Sequence, residues 1–343
     1  MSEFAVDVQH LSKWYGFLKA VDDVSFQVRS GSSFGLLGLN GAGKTTTFKM
    51  MVSLIRPDEG TAVVGGYDVV KDPMKVRSCI GYVAENPAFY PRMTTMETLR
   101  YLCRLLEVPA EEQAKRMFQA LELVGLMNKK DACVGGFSRG MRHRLGLAQA
   151  LLSEPQVLFL DEPTLGLDPL GAKNMRELIM RLRQEREVTV LMSSHMLPEV
   201  EAICDEVGIF DHGRLVAVDT IDNLRSTASD SMNIEIVMAE PDERVVKALE
   251  NISGVKKVVA NGASITVTAV KGQDIRPNIL KEAMGQNEQI LSFGLKESNL
   301  EDILLRVVEK GNAEIDLSEA GPIVTTASVA DLVRRQIKSW IRY

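Results

Sequence analysis

The octapeptide Gly38-Leu39-Asn40-Gly41-Ala42-Gly43-Lys44-Thr45, continued by Thr46, decides how this chain is read. It has the form G-x-x-x-x-G-K-[ST]. The glycines let the backbone wrap phosphate oxygens with its own N–H groups. The apolar run 34–37 before it reads as a strand, and residues 45–55 after it read as a helix. A loop that runs from a strand into a helix N-terminus presents a positive dipole end to an anion. In that setting Lys44 reaches the β/γ-phosphates and the Thr45 hydroxyl ligates Mg²⁺.

Downstream, the uninterrupted apolar run Val157-Leu158-Phe159-Leu160 ends in Asp161-Glu162. Such a run reads as a strand buried on both faces. Side chains alternate along a strand, but a strand end relaxes this, so both carboxylates can serve one site. Asp161 is the candidate for the Mg²⁺ shell. Glu162 is the candidate to orient and deprotonate an attacking water. Residues 188–192 form another apolar run, and residues 4–30 alternate, with Val24, Phe26 and Val28 on one face. Between them, residues 92–152 read as mostly helical, with Met141, Leu145, Ala148 and Leu152 on one helical face. Short apolar strands alternating with helices predict an α/β fold with a largely parallel sheet.

Composition narrows the class. The chain has 343 residues, 45% hydrophobic and 25% charged, which excludes a disordered or collagen-like chain and predicts about two domains. Lys+Arg 40 against Asp+Glu 46 leaves −6, so no nucleic-acid partner is expected. No stretch approaches ~18 uninterrupted apolar residues, the length of a membrane span, and the N-terminus has no secretory pattern. The cysteines Cys79, Cys103, Cys133 and Cys204 are scattered, with no C-x-x-C, and read as reduced core thiols of a cytosolic protein.

A further motif lies 23 residues before Asp161: Phe137-Ser138-Arg139-Gly140-Met141-Arg142. Ser138 is placed to cap a helix, and Gly140 leaves backbone N–H groups open. With this element the chain resembles the ATP-binding cassette (ABC) ATPases, whose signature is usually written L-S-G-G-Q. Phe137, Arg139 and Met141 depart from that pattern, while Ser138 and Gly140 keep it. The variant is similar to that of the drug-resistance and antibiotic-export branch. The resemblance covers about residues 4–224 and implies a P-loop cassette with a mixed, mostly parallel sheet and a helical subdomain at about 86–152. It implies ATP and Mg²⁺ as ligands. It also implies a head-to-tail dimer in which Ser138 and Gly140 meet the ATP of a second copy, and docking of separate integral membrane permease subunits near 86–105.

The same resemblance assigns further positions. Tyr15 falls where the family's adenine-stacking aromatic lies, with Trp14 as its rival. Asn40, Gly41, Ala42 and Thr46 belong to the phosphate loop. Asp168, in Gly166-Leu167-Asp168-Pro169, falls in the loop that crosses the dimer interface. His195 matches the histidine that contacts the γ-phosphate and, with Lys44 and Glu162, completes the expected catalytic set. Glu85 stands where the family carries a glutamine touching Mg²⁺ and water, and the exchange adds charge near phosphate. His10, His143 and His212 read as structural or solvated. The expected activity is ATP hydrolysis coupled to transport, with export favoured over import, by a cytoplasmic protein peripheral to the inner membrane face. A soluble ABC ATPase acting on nucleic acid or ribosome is the competing class; it usually carries tandem cassettes, a coiled-coil insertion or cysteine-rich segments.

The Ser/Thr-rich segment 225–231 reads as a linker. Beyond it, residues 232–310 follow a β-α-β-β-α-β-α order, with a hairpin at Asn261-Gly262, Pro277 in the first turn of a helix and a capping box at 298–301. That order predicts a small ferredoxin-like α+β domain. Residues 311–343 form a tail whose end carries Arg334, Arg335, Lys338 and Arg342 beside Val333, Ile337, Trp340 and Ile341. It reads as an amphipathic basic helix or as a solvated terminus.

Overall fold

The computed structural model describes residues 3–223, 231–239, 243–270, 274–285 and 290–296. Residue contacts divide the chain into 1–307 and 308–343. The second unit lies outside the described residues, as do the expected helix after 298 and the basic tail.

The chain opens with β1 (Phe4–Tyr15) and β2 (Leu18–Arg29), an antiparallel hairpin, followed by β3 (Ser33–Gly38) and α1 (Lys44–Met51). Helix α1 is shorter than its pattern suggests. Ser53 takes a left-handed φ of 56°, and Leu54 N turns back to Lys49 O at 2.8 Å. Next come β4 (Glu59–Val64), β5 (Tyr67–Asp68), α2 (Pro73–Cys79) and β6 (Ile80–Val83). The helical stretch contains α3 (Thr95–Leu105), α4 (Ala110–Leu123) and α5 (Arg139–Leu151). Then follow β7 (Val157–Asp161), α6 (Pro169–Arg186), β8 (Thr189–Ser194), α7 (Leu197–Ile203), β9 (Glu206–Asp211) and β10 (Arg214–Thr220).

Two sheets result. One is antiparallel in the order β2-β1-β4-β5. The other runs β10-β9-β3-β8-β7-β6 and is parallel except at β10. The apolar strands divide their side chains between two cores. Phe159, Leu191 and Leu36 join the core shared with α1 and the antiparallel sheet. Leu158, Leu160, Val190 and Met192 join the core shared with α3 to α7. That is why these strands read as continuous hydrophobic runs. Leu145, Ala148 and Leu152 are buried as expected, with Met141 packed against them.

The last described part has β11 (Ser231–Met238), α8 (Glu243–Glu250), β12 (Val255–Asn261), β13 (Ser264–Val270), α9 (Arg276–Gly285) and β14 (Ile290–Lys296). The sheet order β12-β13-β11-β14, antiparallel throughout, is the ferredoxin-like split βαβ arrangement. Its core, including Ile234, Ile236, Val245, Leu249, Ile265, Val267 and Ile279, shares no member with the other two. Three details differ from expectation. Strand β11 begins at Ser231, inside the expected linker. The hairpin loop is Gly262-Ala263, because Asn261 still pairs with Ser264; the positive φ of 56° falls on Gly262, as a type II′ loop needs. Cys133 is exposed, whereas Cys79, Cys103 and Cys204 are core thiols.

Phe159 is fully buried and meets Phe48 edge-on, with ring centroids 5.5 Å apart. Phe159→Ala should cost about 3–5 kcal/mol of unfolding free energy in a denaturant titration. Leu106→Ala, at a position 40% exposed, should stay within about 0.5 kcal/mol.

Candidate active site

The phosphate loop is built where β3 meets α1. Gly41 and Gly43 have φ of 85° and 102°, which other residues adopt only under strain. Ala42 O accepts from Gly213 N at 3.0 Å, and Asp22 N donates to Gly213 O at 2.8 Å. The loop is thus tied to β2 and the β9–β10 turn. Asn40 and Gly41 are exposed, Thr45 and Thr46 are half-buried, and Lys44 is 5% exposed.

The Lys44 ammonium donates to Gly38 O at 2.7 Å and to Leu39 O at 3.1 Å, and lies 3.5 Å from Glu162 Oε1. Burial pushes its pKa down. The carboxylates of Glu162, Asp161 and Glu85 act in the opposite sense. Asp161 is also buried. Burial holds its carboxyl above the ordinary range, while hydrogen bonds from Ser193 and Thr45 pull it back. Those bonds run from Ser193 Oγ at 2.5 Å and Thr45 Oγ1 at 3.0 Å, both to Asp161 Oδ1.

Glu162 joins the same site through its backbone. Strand β7 ends at Asp161, and Glu162 takes a φ of 48°, left-handed for a non-glycine residue. Its N–H donates to Ser193 O and Ser193 Oγ, each at 3.1 Å. Its carboxylate then lies 2.7 Å from His195 Nδ1. Local strain of this kind, about 1–3 kcal/mol, persists when surrounding bonds hold it.

The remaining expected residues fall into two groups. Glu85, just after β6, is half-buried and acts electrostatically on Lys44 and Asp161. Tyr15 is 51% exposed at the end of β1, whereas the Trp14 ring is covered by the Lys19 ammonium at 4.7 Å. Ser138 caps α5, accepting from Met141 N at 3.3 Å. Gly140 adjoins Leu167, and Asp168 precedes α6 as its exposed N-cap residue. Among the described residues, no hydrogen bond or ion pair joins 138–140 to the phosphate loop.

Comparison with known proteins now bears on this geometry. The family model described as "ABC transporter" matches residues 21–165. The chain is 33% identical over 304 residues to the linearmycin resistance ATP-binding protein LnrL of Bacillus subtilis, covering 88% of this chain and 97% of that protein. It is 35% identical to the bacitracin transport ATP-binding protein BcrA of Bacillus licheniformis, over 88% of this chain and 96% of the relative. A solved ATP-binding subunit of an ABC transporter superposes with a TM-score of 0.59 at 32% identity, covering 66% of this chain and 93% of that one. The chain belongs to the ABC transporter family.

This ABC ATPase binds ATP with Mg²⁺ and hydrolyses the nucleotide. The donors fit the ion. The Thr45 hydroxyl and the carboxylates of Asp161 and Glu85, which would hold it, all present oxygen, and Mg²⁺ takes few protein oxygens beside phosphates and water. The family match ends at Leu165, so it does not reach His195, which the structure nevertheless brings onto Glu162. Two ABC site neighbours escaped the sequence reading. Ser193 holds both Asp161 and the Glu162 backbone, and Tyr82 OH lies 3.5 Å from Asp161 Oδ2. The only signal for Ser193 was its place at the end of an apolar strand, two residues before His195.

Ser193→Ala removes a bond that lowers the Asp161 pKa. Asp161 is the expected Mg²⁺ ligand and must ionise for that role, so the acid limb of the ATPase pH profile should move to higher pH. A profile of kcat/KM at saturating Mg²⁺ checks this; a limb that is unmoved or moves to lower pH contradicts it.

Proposed function

We propose that this ATPase energises export through separate membrane subunits, by ATP-driven pairing of two copies. The observation that carries the pairing concerns Gly140. It has no left-handed φ, and a Cβ there would meet only Leu167 Cδ2, at an ordinary 3.5 Å. The chain's own packing therefore makes no demand for glycine at the exposed end of α5. Close approach by a second copy's nucleotide does make one, with Ser138 beside it and Asp168 at the same interface. The names of the linearmycin resistance and bacitracin transport relatives support export.

Within each copy the proposed division of work follows the geometry. Tyr15 stacks on the base. Residues 38–46 wrap the phosphates, and Lys44 turns its ammonium from Gly38 O and Leu39 O to phosphate oxygens. Thr45, Asp161 and Glu85 hold Mg²⁺, which neutralises phosphate charge when bound. Glu162 takes the proton of the attacking water as the water–phosphorus bond forms and the bond to ADP breaks. His195 orients Glu162 and meets the γ-phosphate.

Among the described residues, no helix is long and apolar enough to cross a membrane. Passage of substrate therefore falls to the separate subunits, with the ATPase at the cytoplasmic membrane face. Tyr90 and Tyr101, in edge contact at 5.8 Å, are exposed, as is Leu105 one helical turn beyond Tyr101 in α3, and these residues offer an apolar surface for that docking. Residues 232–310 are proposed as an accessory domain that supports docking or pairing.

Lys44→Ala should abolish ATP binding, read by fluorescent-nucleotide titration. Glu162→Gln should keep binding, lower kcat about 10²–10⁴-fold and accumulate as an ATP-bound dimer on size exclusion. A Glu162→Gln chain that stays monomeric in ATP and Mg²⁺ sinks the pairing mechanism.

A further inference from the structure

The first two turns of α5 carry more than Ser138. His143 is 2% exposed, and its Nδ1 lies 3.0 Å from the carbonyl oxygen of Pro163, the residue after Glu162. The main-chain carbonyl of Glu85 also faces the ring. Burial pushes the imidazole pKa below its ordinary range, while the carbonyls of Pro163 and Glu85 act in the opposite sense. With its proton on Nδ1, the ring donates a hydrogen bond to the Pro163 carbonyl at that 3.0 Å contact. Nε2 is then buried with no hydrogen-bond partner among the described residues.

The same helix end touches two segments of the site. The Arg139 guanidinium packs so closely on Gly166 that a Cβ there would lie 2.3 Å from Arg139 Nη1. Gly140 adjoins Leu167. Nearly two turns on, Gly146 lies against Pro87 and Val83, where an added Cβ would sit 3.2 Å from each. The start of α5 is thereby in contact with the 162–168 loop and with the segment around Glu85.

Glu162 needs holding on both sides because its φ is left-handed. Ser193 holds its N–H. The following residue is a proline, which has no N–H to anchor the chain. Its carbonyl is the group His143 takes.

We infer that His143 is a positioning residue: it fixes the Glu162–Pro163 backbone to the α5 helix end, so that Ser138 and Gly140, on meeting the second copy's ATP, set the position of Glu162 in their own chain. The inference rests on the pairing reading above and goes beyond it. The two ATP sites of the dimer are then coupled through one side chain in each copy.

The test compares His143→Leu with His143→Asn in the full-length chain. Asn keeps an amide N–H near the place of Nδ1–H, and Leu fills the space without a donor. Removing one partner of a buried hydrogen bond should lower kcat about tenfold or more in the Leu variant. The KM for ATP and nucleotide binding should stay near those of the parent. The Asn variant should recover kcat to within about threefold of the parent. In a Glu162→Gln background, His143→Leu should still give the ATP-bound dimer. Parental kcat in His143→Leu overturns the inference, as does an Asn variant no better than Leu, or loss of kcat together with ATP binding. If the Leu variant does not fold, His143→Met makes the same comparison with a more adaptable apolar filler. A Glu162→Gln chain that does not dimerise with His143 intact is instead a failure of the pairing reading.

Discussion

Lys44 is an ammonium group taken almost wholly out of water, and such a group is stable only where opposite charge and acceptors are brought to it. The architecture is arranged around that requirement. Strand β3 ends so that the carbonyls of Gly38 and Leu39 accept from Lys44. Strand β7 brings Asp161 and Glu162, and the turn after β6 brings Glu85. Three parallel strand ends thus deliver compensating charge to one point. The same desolvation holds the Asp161 carboxyl high in pKa, and the hydroxyls of Ser193 and Thr45 oppose it. A site of this kind strengthens every charge interaction within it, which suits phosphoryl transfer.

A second constraint acts on the backbone of Glu162. Strand alternation alone would send Asp161 and Glu162 to opposite faces. The left-handed turn at Glu162 overcomes this and carries its carboxylate to Lys44 and His195. The neighbouring strand and the start of α5 each hold one side of that turn, through Ser193 and His143. The backbone around the proposed catalytic carboxylate is therefore tied to the signature helix as well as to the neighbouring strand.

Much of the fold was legible because burial leaves a periodic trace. Residues 157–160 and 188–192 read as doubly buried strands and are so. Residues 232–296 showed a β-α-β-β-α-β order, and the sheet takes the matching arrangement. Boundaries were less legible. The end of α1 was set by a left-handed Ser53, which no pattern announces, and the hairpin loop moved by one residue onto Gly262-Ala263. Cys133 read as a core thiol but lies on the surface, since a lone cysteine carries no periodic signal.

The amino-acid sequence by itself determined the phosphate loop, the acidic strand end, the capped signature helix and hence the family. Each is a local pattern whose chemistry depends on neighbours along the chain. Only the tertiary structure decided which groups meet across it. Ser193 on Asp161, His195 on Glu162 and His143 on Pro163 join residues 20 to 33 positions apart. Such pairings follow from the order of parallel strands and the seating of α5 against them, and no local spacing encodes that order.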